Sequence, residues 1–116
     1  MADTTRADNY IEAWRHYGGT QLRQHLEQAM TDALEALEGL NRGTFTEDDL
    51  TNIGRLRDIG NALVIEAVLA VTGQPKYGPR SSRISIRTAA DLLGSSRNQL
   101  PLWAKQVEAL SKKRKR

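Results

Sequence analysis

Cysteine is absent from this chain of 116 residues. That removes disulfide staples, thiolate metal sites and cysteine nucleophiles together, and it suits a reducing compartment. Aromatics are scarce: two Trp, three Tyr and one Phe. An interior must therefore be assembled from Leu, Ile, Val and Ala. The most apolar run, 62–71, is interrupted by Glu66 and is short, whereas a bilayer span needs roughly 20 apolar residues. The first residues are polar and amphipathic, unlike the apolar stretch of a secretory signal. The expectation is a cytoplasmic protein with no membrane partner.

Catalytic constellations are missing as well. His16 and His25 share no ligand spacing with a carboxylate. There is no glycine-rich phosphate loop, no Gly-x-Ser-x-Gly and no His-Glu-x-x-His. The acidic triplet Glu47, Asp48 and Asp49 reads as the start of a helix, where carboxylates suit the positive end of the dipole, rather than as a metal site. No catalytic residue, cofactor or metal is expected.

What is present is a sharp division of charge. Residues 1–72 carry six arginines and twelve carboxylates, a balance of −6. Residues 73–116 carry eleven Lys or Arg and two carboxylates, a balance of +9. An asymmetry on this scale points to an anionic partner for the basic part.

Apolar residues recur at helical spacing throughout, so the fold class is all-α, with three N-terminal helices and a C-terminal pair. Tyr10, Ile11, Trp14 and Tyr17 mark a first helix over about 5–17, ended by Gly18 and Gly19. Leu22, Leu26, Met30, Ala33, Leu34 and Leu37 line one face of a second, over about 20–40. A third runs from Thr46, which can cap the amide of Asp49, to about Thr72. Phe45 and Leu50 are spaced as a hydrophobic staple, and Leu50, Ile53, Leu56, Ile59, Leu63 and Val64 form a stripe. The segment 62–71 is apolar almost all round, which requires burial on most sides. In so small a protein that burial comes from a second copy, the favoured expectation, or from the chain's own helices.

Four regions follow: an acidic helical interaction region, 1–73; a linker, 74–83, with two prolines and a glycine; a basic helical pair, 84–110; and a basic tail, 111–116. In the pair, Ser85 can cap a first helix, Ala90 is small enough for a close crossing, Gly94 suits a tight turn and Ser96 can cap a second helix. Leu100, Trp103 and Val107 give that helix a buried face and leave Arg97, Asn98, Gln99, Leu102 and Lys105 outside. Residues 84–110 thereby resemble the helix-turn-helix of bacterial DNA-binding regulators.

The resemblance implies a second helix in the major groove with its first residues at the base edges. Arg97 would suit guanine, and Asn98 and Gln99 adenine. Ser96 would open the helix, Lys105 would lie on its exposed face, and Arg83 and Arg87 would meet phosphates. Separately from the resemblance, the tail with Lys112, Lys113 and Arg114 would act on phosphates without reading sequence. Pro101 leaves two registers open: a helix from Ser96 with proline inside it, or a helix from near Pro101 with Arg97 to Gln99 in a loop.

The expected function is a homodimeric, sequence-specific regulator of duplex DNA. The alternatives are a helical subunit of a nucleoprotein assembly gripping RNA or single strands, with Tyr77 as its stacking residue, and a protein-interaction module. Trp14 and Trp103 are read as core.

Overall fold

A computed structural model describes residues 2–72 and 84–114, with side chains over 10–72 and 84–110. Among the described residues there are five helices and no strand: α1 (Ala2–Tyr17), α2 (Leu22–Arg42), α3 (Glu47–Thr72), α4 (Ile86–Leu93) and α5 (Gln99–Arg114). None is long and apolar enough to cross a membrane. Region 74–83, with Tyr77 and Arg83, lies outside the described residues.

The start of α3 is set by a reciprocal cap. The Thr46 amide donates to Asp49 Oδ2 at 3.0 Å and the Asp49 amide donates to Thr46 Oγ1 at 3.2 Å. Two amides that no helical carbonyl can reach are thereby satisfied. Leu50 remains largely exposed, so the expected staple covers little of it. At the far end of α1, a Cβ on Gly18 would lie 2.5–2.6 Å from the Trp14 indole and carbonyl, and Gly19 has φ +97°. Only glycine fits the first position, and glycine adopts the second without strain.

Helix α3 packs against each of the other four helices. Its second half supplies Ile65, Val68, Leu69 and Val71 to a core completed by Trp14 of α1, Ala89 and Ala90 of α4, and Leu100, Trp103, Ala104 and Val107 of α5. Both tryptophans are core residues, as expected, and the Tyr10 ring lies 5.0 Å from that of Trp103. A second cluster joins Ala13, Leu22, Ala29, Ile59 and Ala62.

Two expectations are corrected here. The chain's own helices bury Ala62, Ile65, Val68, Leu69 and Val71 of the apolar segment 62–71, so its burial does not require a second copy, while Leu63 and Ala67 stay exposed. And only the first part of the predicted α2 stripe faces inward, Leu22 buried and Leu26 packed against the second cluster; the interior face then passes to a different row. That row is Ala29, Ala36 and Gly39, while Met30, Leu34 and Leu37 are exposed. The reason is steric. A Cβ on Gly39 would meet Asp49 Oδ2 at 3.2 Å, and small residues let two helix axes approach to the near end of their usual spacing. The small-residue row therefore turns toward α3 and the bulkier row turns outward.

Candidate nucleic-acid interface

The α4–α5 pair is built on three local devices. Ser85 opens α4: its Oγ accepts from the Thr88 amide at 3.1 Å and its hydroxyl donates to Thr88 Oγ1 at 3.0 Å. Gly94 closes α4 at φ +69°. Its amide reaches Asp91 O at 3.2 Å while the Ser95 amide reaches Ala90 O at 2.9 Å, the paired bonds of a Schellman end. Ser96 then turns the chain: its Oγ accepts from the Asn98 amide at 3.2 Å and its carbonyl from the Gln99 amide at 3.0 Å.

Helix α5 begins at Gln99. Arg97 and Asn98 therefore sit in the turn before it and not in its first turn. Pro101 becomes the third helical residue, where the first four amides have no intrahelical acceptor and proline costs none. Of the two registers left open, the structure follows the second, displaced by two residues: Ser96 caps a turn, proline lies in the first helical turn, and Arg97 and Asn98 precede the helix. The expected place of those two in its groove-facing first turn is thereby corrected.

The two helices meet through the shared core rather than along their lengths: each packs on α3, where Ala90 of α4 is fully buried and Leu100, Trp103, Ala104 and Val107 hold α5. The outer surface carries Arg87 on α4, Ser96, Arg97 and Asn98 in the turn, and Lys105 on α5, all exposed, with Gln99 half-buried. Gln106 and Leu102 are exposed on α5 as well. Gln106 was not singled out from the sequence, although its seven-residue spacing from Gln99 puts the two on one helical face. Lys112, Lys113 and Arg114, expected in a free tail, belong to the last turns of α5, and their side chains lie outside the described set.

The electrostatics of the two halves differ. In the acidic half Arg15 pairs with Glu12, Arg23 with Glu27, Arg55 with Asp32 and Arg57 with Asp58. In the basic half, Arg87, Arg97 and Lys105 make no ion pair among the described residues. Their charge is uncompensated, as an anion-binding surface requires.

Among the described residues no group of His, Asp or Glu is arranged to hold a metal ion. A cleft with mixed polar lining lies between α1 and α3, bordered by Glu12, His16, Arg57, Asp58 and Asn61, far in the sequence from the basic pair. Compared with protein-family models, curated proteins and solved structures, the chain matches none of them.

Proposed function

We propose that the chain is a homodimeric cytoplasmic regulator that binds duplex DNA in a sequence-specific way through α4, the 94–98 turn and α5. The observation that carries this reading is the pair itself. A Ser-capped eight-residue helix and a left-handed Gly94 lead into a second helix, and Ala90 of the first shares a buried core with Leu100 and Trp103 of the second. That helix turns Gln99, Leu102, Lys105 and Gln106 outward. Seated in a major groove, Gln99 is matched to an adenine edge and Leu102 to a thymine methyl. Arg97 and Asn98 precede the helix and reach the adjacent base or phosphate. Arg87 and the lysines at the end of α5 take backbone phosphates.

Selection of bound fragments from genomic DNA tests it. A recovered common motif, bound in preference to random duplex, is the expected result. Recovery of no motif overturns it.

One observation favours a second reading. Because Arg97 and Asn98 lie in a turn, their contacts fit a phosphate backbone as well as a base edge. A protein using them so would grip RNA or single strands without sequence preference. Binding to single strands and RNA equal to that of the best duplex, at two salt concentrations, would support that reading against the first.

A further inference from the structure

Helix α2 presents an apolar seam that the described residues leave largely uncovered. Leu26, Met30, Ala33, Leu37 and Leu40 follow one another at intervals of four, three, four and three. That is the repeat of a helix meant to pair with another helix, because a strict seven-residue period keeps one row facing a partner. Yet α3 occupies only one side of this seam, through Ala29, Ala36 and Gly39, with Leu26 partly buried at one end; Leu34, beside Ala33, widens the seam on its exposed side. Met30 is 51% exposed, Leu34 63%, Leu37 52% and Leu40 53%. Large apolar side chains exposed in a contiguous row mark an interaction surface. The other flank of α2 is already engaged: the His25 ring packs edge-on at 5.3 Å from Tyr17, and Asp32 meets Arg55.

We propose that this face binds a second copy of the chain, α2 against α2 in antiparallel orientation about a two-fold axis near Leu34. Charge selects both the partner and the direction. Antiparallel pairing in this register brings residue i of one helix level with about residue 69 − i of the other. Leu34 then meets the Leu34 region of the other copy. Arg23, 89% exposed and bridged at 2.8 Å to Glu27 of its own helix, comes level with the other copy's loop and first α3 turn, where Glu47 and Asp48 stand exposed and can share it. Glu27 comes level with Asn41 and Arg42. Each of these juxtapositions occurs twice by symmetry. A parallel pair would instead set Arg23 beside Arg23, Glu27 beside Glu27 and Glu38 beside Glu38, whereas the antiparallel pair sets only Glu35 beside its own copy, at the axis. The basic α4–α5 pair is held by α1 and α3 through a separate core, so it stays clear of this seam.

This inference deepens the homodimer part of the proposed function but rests on α2 alone. Its test is run without nucleic acid, so failure of DNA binding leaves it standing and its own failure leaves DNA binding open. Light scattering of the full chain at micromolar concentration is expected to give the dimer mass. Leu34→Asp with Leu37→Asp is expected to give the monomer mass with unchanged helicity, since both side chains are already exposed. Arg23→Glu is expected to weaken the dimer at least several-fold, and adding Glu47→Arg and Asp48→Arg to restore it.

A chain with no cysteine also permits a direct probe. Under copper-phenanthroline oxidation, Leu34→Cys is expected to cross-link at least tenfold faster than Leu50→Cys, which is equally exposed but off the seam. A monomeric wild-type chain, a double aspartate variant that still dimerises, or equal cross-linking at the two positions would each overturn the proposal.

Discussion

The Trp14 indole Nε1 donates to Glu66 Oε1 at 3.0 Å, and the same oxygen accepts the Gly19 amide at 3.0 Å. One carboxylate thus fastens the end of α1, the turn into α2 and the middle of α3. This explains a charge inside the most apolar stretch of the chain. Glu66→Leu would leave two part-buried N–H groups without an acceptor, each costing about 1–3 kcal/mol. Glu66→Gln keeps a carbonyl oxygen in reach. The expected order in urea unfolding is wild type, then Gln by a small margin, then Leu lower by about 2–5 kcal/mol. Equal stability of the Leu and Gln variants would show that the carboxylate is not the fastener.

Trp103 lies in the cluster that joins α1, α3, α4 and α5. Removing a buried Trp side chain costs about 3–5 kcal/mol. Because the acidic helices and the basic pair share this core, Trp103→Ala should lower the stability of both together, and thermal unfolding should stay a single transition. Two separated transitions in calorimetry would mean that the two regions fold independently.

How much of this was legible in the sequence depended on range. The Thr46–Asp49 cap, the Ser85 cap and the Gly94 turn were readable because each is decided within a few residues. The all-α class was readable from period alone. The partner of Glu66 was not, since Trp14 lies 52 residues away. The interior face of α2 was misread for a related reason. Periodicity identifies an apolar row, but which of two adjacent rows faces α3 is decided by how closely the backbones approach, and Gly39 and Ala36 set that. In the candidate site, the exposure of Arg87, Arg97, Asn98 and Lys105 was foreseen, that of Gln99 was not, since it is half-buried, and the start of α5 at Gln99 depended on how Ser96 shares its acceptors between Asn98 and Gln99.

The proposed interface separates reading from gripping. Gln99→Ala and Arg97→Ala should each cost about 1–3 kcal/mol on a selected site and far less on random duplex. Lys112→Ala with Lys113→Ala should weaken both by similar factors and reduce the slope of log affinity against log salt by about 2, near 0.9 per lost phosphate contact. Titrations on both duplexes across a salt series distinguish these. Equal loss on both for Gln99→Ala would remove it from base reading.

Gly94 has φ +69°, and nothing lies within 4 Å of where a Cβ would stand. Any cost of Gly94→Ala is therefore conformational and not steric. An L-residue in this region is disfavoured by about 1–2 kcal/mol, which is the expected loss in urea unfolding. No loss would mean that the turn relaxes to another backbone path, and α5 would then change its angle to α4.

Pro101 discriminates between the two ways of starting α5. In the structure it is the third helical residue and forfeits no hydrogen bond. Pro101→Ala should then change stability by less than about 1 kcal/mol, because relief at Leu100 and added freedom in the unfolded chain act in opposite directions. A regular helix starting at Ser96 would place proline in the interior, where it costs about 3 kcal/mol relative to alanine. The same substitution would in that case stabilise the chain by several kcal/mol and raise helicity over residues 96–101. Urea unfolding with circular dichroism separates the outcomes. A strongly stabilised variant would return Arg97 and Asn98 to the helix and to its groove-facing first turn.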